Sequence, residues 1–316
     1  MEAVTLRGEA ADLCKKLLVP AALSVAPNAW ANRALDVLAR RSTFFEAQCA
    51  GAWAGAADFV QRLSLDEVSF KARHRLQYLA DFYDIYALLT RGSRWFERNT
   101  TIIGTPPPAG TPFIALTFHY GAGMWAHHYF ASLNPRTTWL HAPVETVYRS
   151  ASTSAMVARM RLRVLRRVMG NPLIVIGGSR NRMVSWLQQG GAVMAMFDAP
   201  HFDLHRTVPT RVLDGEFHLV AGIFRVAVEL GVPVYLYSHM VGERAARRWL
   251  DIEGPLLATS ADALLERAAA FMDHRLRADP AAWHCWNLLP MYRRPAQPAA
   301  APASPEVSRA AAPLEG

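Results

Sequence analysis

The segment "GTPPPAGTP" (104–112) divides the chain into two rhythms and constrains the fold more than any other stretch. Its consecutive prolines fix φ and remove backbone donors, so it neither continues a helix nor enters a central strand. Before it, residues 29–98 are spaced as helices. Leu76, Leu79, Phe82, Tyr83, Tyr86 and Leu89 recur near helical intervals and read as packing, and Ser64 with Glu67 fits a helix-opening capping box. After it, short apolar runs alternate with helical stretches: "FIALTF" then 122–133, "TTWLHAPV" then 148–169, "PLIVIG" then 179–189. "AVMAMFD" then precedes a polar segment and 218–230, "VPVYLYS" and "RWLDIEG" follow, and 260–277 comes last. Such alternation predicts an α/β fold, a central mostly parallel or mixed sheet flanked by helices on both faces, with a helical N-terminal extension.

The expected organisation is therefore a helical region over 1–103 packed on the core, an α/β domain over 104–294, and a tail over 295–316. That tail holds eight alanines and five prolines in 22 residues and reads as disordered. With 52% hydrophobic and 19% charged residues, the rest has ample material for a core. The net charge of +8 favours anionic partners such as an anionic membrane face, an acidic carrier protein or an acidic substrate. Nucleic acid is the weakest of the anionic partners, because no recognisable module or stacking platform accompanies the charge.

Cys14, Cys49 and Cys285 are odd in number, far apart and without metal-site spacing, which argues against a disulfide framework and for a reducing compartment. The opening "MEAVTLRGEAADLCKK" lacks the basic-then-apolar order of a signal peptide. The apolar run at 17–27 is too short to cross a bilayer and is interrupted by Pro20. Placed after Lys15 and Lys16, it suits either a membrane interface or a packed segment.

In sheets of this kind ligand sites gather beyond the carboxyl ends of strands, and His119 and Asp198 both stand at such ends. In "LTFHYGAGMW" (116–125) an apolar strand stops at His119, and Gly121 and Gly123 follow. Imidazole suits proton transfer near neutrality, and a glycine turn admits another backbone or a substrate and leaves amides for an oxyanion. A core histidine bonded to a carbonyl is the other role that fits. Arg159, Arg163 and Arg166 share one face of a helix, either as an anion-holding stripe or as a solvated face; Arg180 and Arg182 are weaker candidates. In "DAPHFDLH" (198–205), His201, Asp203 and His205 alternate, as a metal-dependent hydrolase or a solvated loop would have them.

The order "ALTFHYGAGMW … VYRSASTSAMVARMRLRVLRRV … SRNRMVSWLQQGGAVMAMFDAP … VPTRVLDGEFHLVAGIFRVAVELGVPVYLY … DPAAWHCWNLLPMYRRP" resembles the lipid A biosynthesis lauroyl/myristoyl acyltransferases, within the lysophospholipid acyltransferase superfamily. The likeness runs over about residues 30–294. It implies transfer of a fatty acyl chain from an acyl-carrier-protein or coenzyme A thioester to a hydroxyl of a lipid, glycolipid or lipid-like metabolite. His119 would be the general base, and no cofactor or metal would be needed. It further implies substrate contacts from Tyr120, Gly121, Arg149, Arg159, Arg163, Arg211 and Gly215, with Gly222 shaping the cleft or allowing a close helix–sheet contact and Trp283 and Trp286 in a core or interface position. A peripheral place on the cytosolic face of a bacterial inner membrane goes with it.

One departure bears on the chemistry. The family's histidine is followed five residues on by Asp or Glu, and here that place holds Met124. Asp198 is the acid best placed by topology to substitute. His274 has Asp279 at the right spacing but follows no strand. Without an acid, the same fold would serve as a non-catalytic protein binding lipid or acyl carrier.

Overall fold

The structure is a computed structural model describing residues 6–147, 152–199 and 207–293. The chain opens with helices α1 (Leu6–Leu13), α2 (Val19–Val25), α3 (Asn28–Arg41), α4 (Glu46–Arg62), α5 (Glu67–Arg91) and α6 (Ser93–Asn99), with a π-helical turn, Cys14–Leu18, joining α1 to α2. Strands β1 (Thr100–Gly104) and β2 (Ile114–Thr117) follow, then a 3₁₀ turn (Gly123–Ala126), α7 (His127–Leu133), β3 (Thr137–His141), α8 (Val144–Val147) and α9 (Thr153–Met169). Next come β4 (Ile174–Val175), α10 (Arg180–Gln188), β5 (Ala192–Met196), β6 (Thr207–Val212), β7 (Gly215–Val220) and α11 (Gly222–Leu230). β8 (Val234–Val241), β9 (Arg248–Leu256), α12 (Ala261–Ala278) and a last turn of helix, α13 (Leu289–Tyr292), complete it.

This is an α/β protein. Seven strands form one sheet in the order β1-β9-β8-β2-β5-β3-β4, parallel throughout except where β8 meets β9. Alternation along the strands sends side chains to two cores. Ile114, Leu116, Val193, Ala195, Val234 and Leu236 face α10, α11 and α12. Phe113, Ala115, Ala192, Met194, Tyr235 and Tyr237 face α3, α5 and α9. No helix among the described residues is long and apolar enough to cross a membrane.

Four expectations need correction. The polar stretch before α11 is a β6–β7 antiparallel hairpin, so strand pairing occupies Thr207–Val220 and the helix begins only at Gly222. β1 lies ahead of the proline-rich joint yet pairs with β9, so the N-terminal region contributes a strand to the sheet. "PLIVIG" yields only the two residues of β4. The helix-opening cap is Asp66, accepting from Ser69 N at 2.8 Å, while Ser64 sits in the preceding turn at φ 54°. The 295–316 tail lies outside the described residues.

Candidate active site

β2 and β5 are adjacent, parallel and paired Thr117 to Met196. Two residues beyond that pair on each strand stand His119 and Asp198. By strand alternation both share the face of Ala115 and Met194, toward the N-terminal helices. His119 Nδ1 lies 2.8 Å from Asp198 Oδ1. The His119 backbone N–H is shared between the two carboxylate oxygens at 3.0 and 2.9 Å, and Trp283 Nε1 donates to Oδ2 at 3.0 Å. Asp198 is fully buried, and the Tyr292 hydroxyl donates to its backbone carbonyl at 2.6 Å.

A carboxylate can only accept here, so Nδ1 carries the proton, and in the neutral ring the lone pair is on Nε2. Burial opposes protonation of the ring. The nearby Cys285 sulfur and the Asp198 carboxylate outweigh that, and His119 is held well above the ordinary histidine value. A ring nitrogen of His119, a carboxylate oxygen of Asp198 and the Sγ of Cys285 lie within 4.8 Å of one another. Both Asp198 oxygens already accept from His119 and Trp283, which makes this a closed hydrogen-bonded cluster and a poor set of ligands for an ion.

The His119 side chain is 35% exposed, and it lines a cavity of about 530 Å³. Phe45, Phe82, Trp139, Leu140, Leu162 and Met196 make much of the wall apolar, enough room and surface for a hydrocarbon chain. Lys16, Asp81 and Arg161 supply its charges. Arg161 pairs with Asp81, lies 4.5 Å over the Phe82 ring, and leaves a buried Nε without a partner among the described residues. Lys16 pairs with Asp12 and donates to Ser154 Oγ at 2.7 Å, which ties the turn after α1 to the start of α9 across the cavity.

The glycine turn admits another backbone, as expected, but does not leave its amides free. Gly121 has φ +58°, and a Cβ there would lie 2.4 Å from the His239 carbonyl oxygen, so close approach of the β8 end demands glycine. Its N–H donates to Ala282 O at 2.8 Å, and Ala122 N–H donates to His239 O at 2.7 Å. With the Tyr120 and His119 amides also engaged, the amides of 119–122 are committed internally and offer no oxyanion hole.

His284, which sequence reasoning passed over, enters the same cavity. Its Nε2–H donates to Gly121 O at 2.7 Å, and burial holds it below the ordinary value, so it is neutral with its lone pair on Nδ1. Its only sequence signal was a histidine inside the tryptophan-rich "AWHCWN".

Other expected residues go elsewhere. Tyr120 reaches the cavity wall, but its ring stacks on Phe118 and its hydroxyl donates to Arg275 O at 3.0 Å. Arg159 pairs with Glu145 at the surface, and Arg163 lines a separate cavity with Arg166 and Arg167. The helical period that puts those arginines outward puts Arg161 inward. Arg211 and Gly215 border an open groove of about 820 Å³ beside α12, away from His119, because they sit on the β6–β7 hairpin. Gly222 has open space where a Cβ would be, so it makes no close helix–sheet contact. Trp283 and Trp286 are fully buried in the core. Met124 lines the cavity. Arg149, His201, Asp203 and His205 lie outside the described residues.

Comparison with protein-family models and with curated protein sequences returns no match.

Proposed function

We propose that the chain is an acyltransferase that moves a fatty acyl group from an acyl-carrier-protein or coenzyme A thioester to a hydroxyl of a lipid, glycolipid or lipid-like metabolite. The observation that carries this reading is the His119–Asp198 pair set in the wall of a largely apolar cavity. His119 Nε2 takes the acceptor's hydroxyl proton as the oxygen attacks the thioester carbonyl. The tetrahedral adduct collapses with loss of the thiolate, which receives that proton from the imidazolium. Asp198 keeps the Nδ1 proton throughout, fixing the tautomer and favouring the charged ring. With the turn amides committed, the adduct's oxyanion falls to a cavity cation, and Arg161 has the unpartnered N–H to serve. His284 Nδ1 presents a lone pair to a donor group of the bound substrate. The proposed setting is peripheral, on the cytosolic face of a bacterial inner membrane.

The committed amides also favour a second reading, a protein that binds lipid or acyl carrier without turnover. One experiment separates the two. The native chain, His119→Ala and Arg161→Gln are each given acyl-carrier-protein and acyl-coenzyme A thioesters with a total bacterial lipid extract. Thiol release and new acylated lipid are then followed by mass spectrometry. The transferase reading expects product from the native chain, a fall of about 10²- to 10⁴-fold in His119→Ala, and a raised KM or lowered kcat in Arg161→Gln. Thioester binding without product in the native chain establishes the second reading instead.

A further inference from the structure

Between positions 18 and 30 every exposed residue is apolar: Leu18, Ala22, Val25, Pro27, Ala29 and Trp30. Val25 and Trp30 are 77% and 75% exposed, far beyond what a packed segment requires of such side chains. Leu18, Ala22 and Val25 fall at i, i+4 and i+7, one face of the helical run that ends in α2. α2 and α3 both pack on α5, so their outward faces adjoin. The link at the far end of α5 is specific: Thr90 Oγ1 and Arg91 Nε donate to Ser24 O.

The exposed charges of α3 have one sign. Exposed Arg33, Arg40 and Arg41 continue the outer side of α3, interleaved with exposed Val37. No carboxylate occurs from Leu13 to Leu35, and Asp36 is turned inward to accept from Ala245 N. Apolar side chains including a tryptophan, rimmed by arginines, match an interface of hydrocarbon below and anionic headgroups above. α2 has seven residues and α3 fourteen, too short to span, so these helices would lie in the plane of the surface.

We propose that this α2–α3 ridge is a docking surface for an anionic phospholipid bilayer. It begins two residues from Lys16, which lines the His119 cavity, and Tyr86 Oη holds the Lys16 carbonyl at 3.3 Å. Docking there opens a short route for a lipid from the bilayer to the cavity; that last step rests on the acyltransferase reading, whereas the docking itself does not.

The test is sedimentation of the purified full chain with sucrose-loaded vesicles of phosphatidylcholine, with or without a quarter phosphatidylglycerol. The variants are V25D/W30D, R33E/R40E and, as control, V68D. Val68 is 79% exposed but sits at the opposite end of α5, about 30 Å from Leu89 at 1.5 Å per residue. The expected result is binding of the native chain and V68D to the phosphatidylglycerol vesicles, weakened by half-molar salt. The two double variants should bind roughly tenfold or more weakly, with unchanged circular dichroism and melting temperature. Equal binding by all four proteins, or none by the native chain, overturns the proposal. So does a native dimer in light scattering that V25D/W30D dissociates, for then the ridge meets a second copy. Because no turnover is measured, failure here leaves the acyltransferase assay to be judged by itself.

Discussion

At His119 the chemistry depends on which proton sits where. A base must be neutral to act, so acyl transfer should rise with pH through the raised His119 value and fall on acidification below it. Replacing Asp198 with Asn removes the carboxylate that favours the imidazolium, so the acid limb of the pH–rate profile should move to lower pH. kcat/KM should fall by about 10²- to 10⁴-fold as tautomer control is lost. An acid limb unmoved in Asp198→Asn would show that some other group titrates. The sign for stability follows from the same shift. The ordinary value is 6.5 and the folded value higher, so the pair's contribution is full below about 6.5 and is lost as pH rises through the folded value.

At the level of elements, the turn after β2 is clamped between the end of β8 and the Ala282–His284 segment. Gly121 takes hydrogen bonds with both Ala282 and His284, and Ala122 bonds with His239 through backbone and side chain, the His239 Nδ1 standing 3.0 Å from Ala122 O. Gly121→Ala should therefore cost about 1–3 kcal/mol in chemical denaturation and also reduce turnover, because moving the turn moves His119. Gly110 has φ +74°, but a Cβ added there would meet nothing within 4 Å. Gly110→Ala should cost less and leave turnover alone. Equal activity loss in both variants would mean the clamp does not position the histidine.

Across the whole molecule, the helical N-terminal region packs into the cores on both faces of the sheet and lines the His119 cavity with it. Arg248 of β9 makes a bidentate pair with Asp84 of α5 at 2.6 and 3.0 Å, both side chains fully buried, with the guanidinium 4.8 Å over Trp95. Arg248→Met strands the Asp84 carboxylate and should cost about 3–5 kcal/mol by urea unfolding, while Arg248→Met combined with Asp84→Leu should lose much less. A double variant as unstable as the single one would mean that the stacked arginine, and not the stranded charge, holds α5 to the sheet.

Local sequence determined the alternation of strands and helices, the α/β class, and His119 and Asp198 as strand-end residues, because period-two burial and proline punctuation are written residue by residue. It also named Asp198 as the candidate acid at a strand end, while the adjacency and register of β2 and β5 that set it beside His119 came only with the tertiary structure. What it left open depended on contacts made at long range. Strand β1 paired across 148 positions with β9, whereas the β6–β7 hairpin over 207–220 is a local pairing that the sequence reading missed. The rotation of α9 chose Arg161 over Arg159 and Arg163, since only packing fixes which side of a basic helix meets a cavity. His284 and Trp283 reached His119 and Asp198 from the far end of the chain, through hydrogen bonds that spacing along a sequence does not encode. Tertiary structure alone decided that the glycine turn is a clamp, because whether an amide is free or taken is settled by what packs against it.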